Sequence, residues 1–135
     1  MVPELKLRLR PDENSPAEAR RSLEALRPGL SDLLVDDAVL LVSEVVSNSV
    51  RHGSLDDTDA IEVRIRGSRS KLRVDVSDPG PGFDPDRVRP REDDGGWGLH
   101  LLDRLATRWG VERNDVTRVW FELNDPVSPD RASGT

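Results

Sequence analysis

The sequence predicts an α/β (α+β) two-layer sandwich, a mixed and mostly antiparallel sheet covered on one face by two to three helices. Three observations carry this reading. Several short segments alternate strictly between apolar and polar residues, the period of a strand with one buried face. Longer segments between them repeat apolar residues at helical spacing. Every strand offers only one apolar parity, so the helices need to cover only one side of the sheet.

In chain order, Leu5, Leu7 and Leu9 alternate with Glu4, Lys6 and Arg8 and read as a strand. Asn14 or Ser15 can cap a helix beginning near Pro16, where proline is tolerated. That helix carries Leu23 and Leu26 and stops before Pro28-Gly29. A long helix follows from about Val35 to Arg51, with Val35, Ala38, Val39, Val42, Val45, Val46 and Val50 on a wide apolar face. Gly53 ends it. Ile61, Val63 and Ile65 form the next strand; Gly67 to Ser70 turns the chain into Leu72, Val74 and Val76. The prolines and charges of residues 84–94 read as a mobile loop. A helix from Trp97 to about Ala106 and a closing hairpin around Asn114-Asp115 complete the domain, with Val119, Phe121 and Leu123 facing inward. Residues 1–123 are expected to form one domain and residues 124–135 a disordered tail.

Composition narrows the function. A chain of 135 residues can bury a core without staples, and it has no cysteine for disulfides or metal thiolates. The first ten residues lack the apolar core of a signal peptide, and no apolar run is long enough to span a bilayer. A cytoplasmic protein with no membrane contact is expected. The net charge is −6, and the basic residues form no stripe along the sequence, which argues against direct nucleic-acid binding.

Three short pieces carry candidate chemistry. Glu44 and Asn48 lie one helical turn apart, about 40° around the axis, so their side chains share a face. An amide oxygen is a hard neutral ligand suited to Mg²⁺, and a carboxylate one turn earlier can act as a base. A solvated polar stripe is the plain alternative. Asp78 continues the inward parity of Leu72, Val74 and Val76, so it needs a partner, and the exocyclic amine of adenine is a suitable donor. Gly80 and Gly82 after it allow close approach of a planar base, although Asp-Pro-Gly also suits an ordinary turn. Gly95-Gly96-Trp97-Gly98-Leu99 opens a helix, a place where backbone N–H groups can face phosphate oxygens; a glycine hinge is the competing reading. No glycine-lysine-serine/threonine run occurs, which excludes a P-loop. His52 and His100 join no metal cluster or triad, and the tryptophans are expected to pack, with Trp97 also able to flank a nucleotide.

Taken in this order, the pieces resemble the histidine-kinase-like ATPase superfamily, whose Bergerat fold is shared with gyrase B. The resemblance is closest to the small stand-alone anti-sigma-factor serine/threonine kinases and related bacterial ATP-binding regulators. Leu41 to His52 is similar to that family's N-box, Asp78 to Phe83 to its first glycine box, and Gly96 to Leu99 with Leu101 to Ala106 to its second. The resemblance implies ATP and Mg²⁺ as cofactors, with Asn48 holding the metal and Glu44 as general base. It also implies adenine binding by Asp78, a base pocket shaped by Gly80, Gly82 and Phe83, and phosphate contacts from Gly96, Trp97, Gly98 and Leu99. Residues 84–95 correspond to an ATP lid. Implied partners are a sigma factor and an anti-anti-sigma-type antagonist protein, phosphorylated on serine or threonine, and a homodimer is suggested by analogy. The chain departs from the kinases at Asp93-Asp94, where they often carry an arginine before the second glycine box. Negative charge there opposes a polyphosphate. That departure keeps open the alternative of an ATP-binding, partner-sequestering module with little phosphoryl transfer.

Overall fold

The computed structural model describes residues 4–52, 58–80 and 97–125, with the side chains of His52, Trp97, Gly98 and Leu99 outside that description. The elements are β1 (Glu4–Leu9), α1 (Ser15–Glu24), a 3₁₀ turn (Arg27–Gly29), α2 (Asp32–His52), β2 (Ile61–Ser68), β3 (Lys71–Asp78), α3 (Trp97–Leu105), β4 (Arg108–Arg113) and β5 (Thr117–Asn124). The strands form one sheet in the order β1-β2-β3-β5-β4. Every described pairing is antiparallel, so the sheet is not mixed among the described residues.

The core lies between one face of this sheet and the helices. Alternation sends Ile61, Val63 and Ile65 of β2 and Leu72, Val74 and Val76 of β3 inward, each at most 1% exposed. Phe121 and Leu123 of β5 join them. Val35, Ala38, Leu41, Val42, Val45 and Val46 of α2 are packed over these side chains, with Ala19 and Leu23 of α1 and Leu102 of α3 beside them. Each fully buried aliphatic side chain contributes about 1.5–3 kcal/mol relative to exposure. This packing fixes α2 against β3, the arrangement on which the candidate site depends.

Several local expectations change. α1 starts at Ser15, but Asn14 is in the right-handed helical region and its side chain caps nothing. Ser15 is fully buried instead: its hydroxyl donates to the Arg10 carbonyl and accepts the Asp12 N–H at 3.1 Å. α2 begins a turn earlier than its apolar pattern indicated, because the Val35 N–H already bonds to the Ser31 carbonyl and Asp32 suits the first turn. The turn after β2 contains only Arg69 and Ser70, since Ser68 pairs with Lys71 across the hairpin. Gly67 is therefore inside the strand. A Cβ there would lie 2.9 Å from Leu30 Cδ2 and from Leu72 Cδ1, so close packing explains this glycine.

The outer sheet face is a charged network. Arg73 donates to Asp75 at 2.9 Å and to Glu122 at 3.0 Å, and Arg108 also bonds to Glu122 at 3.0 Å. Trp120 packs on this face, with the Arg73 guanidinium 4.6 Å and that of Arg108 5.7 Å from its ring centre. Trp109 donates to Asp103 at 3.3 Å. β5 continues to Asn124, and the Asp125 N–H bonds to the Ser70 carbonyl at 2.8 Å.

Candidate functional site

α2 and the C-terminal end of β3 meet at Ser49 and Asp78. Helical periodicity buries Asn48 and Ser49, each 5% exposed, while Glu44 one turn earlier is half-buried. Asp78 is 4% exposed and accepts a hydrogen bond from the Ser49 hydroxyl. Its Oδ1 also accepts the Gly80 N–H at 2.9 Å, a local turn that bends the chain out of the strand. The Gly80 carbonyl in turn accepts the Thr117 hydroxyl at 3.2 Å. Thr117 is the residue opposite Asp78 in the β3–β5 register and is itself buried.

Burial pushes the Asp78 carboxyl above its ordinary value. The Ser49 hydroxyl and Gly80 N–H oppose that shift, and the negative charge of Asp59 adds to it. An ionised carboxylate has about four acceptor positions, so two donors leave room for a third such as an amine N–H. Asn48 Oδ1 is buried and has no hydrogen-bond partner among the described residues. A buried, unsatisfied amide oxygen is costly.

Of the residues expected from sequence, Glu44, Asn48, Asp78 and Gly80 are described. Asn48 adjoins the residue that bonds to Asp78. The backbone of Trp97, Gly98 and Leu99 forms the first turn of α3, which packs on α2. Gly82, Phe83, Gly96 and the expected lid at residues 84–95 lie outside the described residues, as does 126–135 of the expected tail. Among the described residues, no group of three or more His, Cys, Asp or Glu could hold a metal ion. Sequence reasoning missed Ser49 and Thr117. Thr117 shares the inward parity of Val119, Phe121 and Leu123, the same signal that singled out Asp78. Among the described residues, no helix is long and apolar enough to cross a membrane.

A helix-covered antiparallel sheet, with a buried carboxylate at a strand end and a buried amide on the main helix, defines an α+β sandwich class. The model of the histidine kinase-like ATPase domain matches residues 9–123, and the chain belongs to that family of ATP-binding domains. A search of curated proteins finds no match. Among solved structures, the RsbU and RsbW domains of Rv1364c from Mycobacterium tuberculosis match with TM-score 0.70 and 23% identity, over 90% of this chain and 32% of that one. The histidine kinase domain of the Erythrobacter litoralis EL346 blue-light activated histidine kinase matches with TM-score 0.51 and 20% identity, over 81% and 58%. A second structure of that kinase gives 0.53 and 21%, over 80% and 40%. This chain thus spans about a third of the first protein's length, and at these identities the likeness is one of fold.

Proposed function

We propose that the chain is a Mg·ATP-binding regulatory protein, a protein serine/threonine kinase that acts as an anti-sigma-factor switch on a small antagonist protein. The observation that carries the reading is the buried, unpartnered Asn48 Oδ1 beside the Ser49–Asp78 contact. In this reading Asn48 holds Mg²⁺, and Asp78 accepts the adenine amine while Ser49 and Gly80 keep its carboxylate oriented. The ion neutralises charge on the phosphates when bound. Gly96 and Gly98 let the backbone approach those phosphates, with Trp97 and Leu99 alongside, and Gly82 and Phe83 border the base. Glu44 takes the proton from the attacking serine or threonine hydroxyl, the role a carboxylate fills in phosphoryl transfer. The fold likeness to a protein containing an RsbW domain supports the choice of a sigma factor and its antagonist as partners. Homodimer formation and a cytoplasmic setting complete the proposal.

Titration calorimetry with ATP and Mg²⁺ tests it. Saturable heat that is lost in Asp78→Asn supports the site; equal heat in that variant rejects it. Radiolabelled phosphate should then pass from ATP to the antagonist, and Glu44→Ala should abolish transfer while leaving binding. The Asp93-Asp94 pair favours a second reading, an ATP-dependent sequestering module without turnover. Binding without phosphate transfer to any antagonist selects that reading.

A further inference from the structure

The outer face of the sheet, turned away from the candidate nucleotide site, holds a cleft of about 440 Å³. Six cations line it: Lys6 and Arg8 from β1, Arg64 and Arg66 from β2, Arg73 from β3 and Arg118 from β5. The carboxylates lining it are Glu62 and Asp75. This concentration of positive charge occurs in a chain whose net charge is −6.

The register sets opposite and like charges side by side: Glu4 lies opposite Arg66, Arg8 opposite Glu62 and Arg64 opposite Asp75. Lys6 lies directly opposite Arg64, and Arg66 directly opposite Arg73. Like charges facing each other across a pair of strands destabilise it. Intramolecular partners relieve only part of this. Arg73 is held by Asp75 and Glu122, and Arg64 reaches Glu4 at 3.1 Å. Arg66 approaches Asp75 only at 3.7 Å, and its Nε is buried without a hydrogen-bond partner. Arg118 reaches Glu112 only at 4.0 Å, and Lys6 forms no ion pair among the described residues. Arg8 pairs with Glu62 at 3.5 Å, so the unmet demand for anionic acceptors lies with Lys6 and the Arg66 Nε.

We propose that this face is a docking surface for an extended acidic segment of a partner protein. Arg64 and Arg66 project from alternate positions of β2, about 6.6–6.8 Å apart along the strand. An extended peptide repeats its own same-side residues at that interval, so carboxylates at every second position match the two arginines. Lys6 and Arg118 flank them on either side. A nucleic-acid strand fits less well. Glu62 and Asp75 would repel a uniformly charged phosphate backbone, and the Trp120 ring is occupied by Arg73 and Arg108 instead of free for base stacking.

Fluorescence anisotropy on the full chain tests this with three probes: a dye-labelled peptide alternating Glu and Thr, the same composition with its Glu residues clustered, and an oligothymidylate of equal length. The alternating peptide should bind saturably and more tightly than either other probe. Lys6→Glu and Arg64→Glu should each weaken it about fivefold or more, whereas Arg21→Glu on α1 should not. Lys6→Gln, which leaves the fold's opposite charge unburdened, should weaken it in the same direction. Equal or tighter binding of the oligothymidylate overturns the proposal, as does absence of peptide binding or indifference to the Lys6 variants. Sedimentation as a dimer that Lys6→Glu dissociates would also overturn it, by assigning the face to a second copy. None of these readouts depends on ATP.

Discussion

Replacing Ser49 with Ala removes one of the two donors that hold the Asp78 carboxylate. Asp78 is 4% exposed, so water cannot fully take the hydroxyl's place. A hydrogen bond to a charged group contributes about 1.5–3 kcal/mol, and Ser49→Ala should lower stability at neutral pH by about that amount. Urea unfolding followed by circular dichroism reads the change directly. The effect should also depend on pH. Because the folded carboxyl sits above its unfolded value, ionising it costs stability as the pH rises through the folded pKa. Losing Ser49 lifts that pKa further, so the penalty should be greatest above it and shrink as the pH falls through it. In an Asp78→Asn background the hydroxyl meets a neutral acceptor, and the penalty should drop to about 1 kcal/mol or less. An equal penalty at acidic and neutral pH, or an undiminished one in Asp78→Asn, would refute the assigned hydrogen bond.

Other consequences can be checked separately. Asn48→Ala deletes a buried polar atom with no partner, so it should leave stability unchanged or raise it by about 1 kcal/mol while weakening Mg·ATP binding; parallel melting and calorimetry test that divergence. Phe121→Ala should cost about 3–5 kcal/mol in urea unfolding, because the ring is fully buried beneath α2. Burial pushes the Glu122 carboxyl up, but hydrogen bonds from Arg73 and Arg108 and the nearby positive charges hold it below its ordinary value. The stability it contributes is present above its unfolded pKa and lost as the pH falls through the folded one, so Glu122→Gln should flatten the acid limb of a stability–pH curve. Gly110→Val places a Cβ 2.8 Å from Trp120 Nε1 and should displace the indole, costing about 1–3 kcal/mol and altering near-ultraviolet circular dichroism.

The strands were legible because their side chains alternate so regularly that burial follows parity almost residue by residue. That same parity located Asp78 as an inward carboxylate. Gly67 was misread as a turn residue, since glycine needed for close packing looks in sequence like glycine needed for bending. Ser49 and Thr117 escaped notice because a hydroxyl fits buried or exposed positions alike, and only the register sets Thr117 opposite Asp78. The basic cleft was illegible for a related reason. Its cations come from strands far apart in the chain, and hydrogen-bonded pairing alone brings Lys6 to Arg64 and Arg66 to Arg73.

The relay from the Ser49 hydroxyl through Asp78 and Gly80 to Thr117 ties the main helix to β5 around Asp78. Folding therefore completes the ordering of these groups before any ligand arrives. Under the proposed function, a base docking on Asp78 would meet donors and acceptors already aimed, and little association energy would be diverted into arranging them. Loosening any link should show as slower, weaker capture, alongside the loss of stability expected for Ser49→Ala.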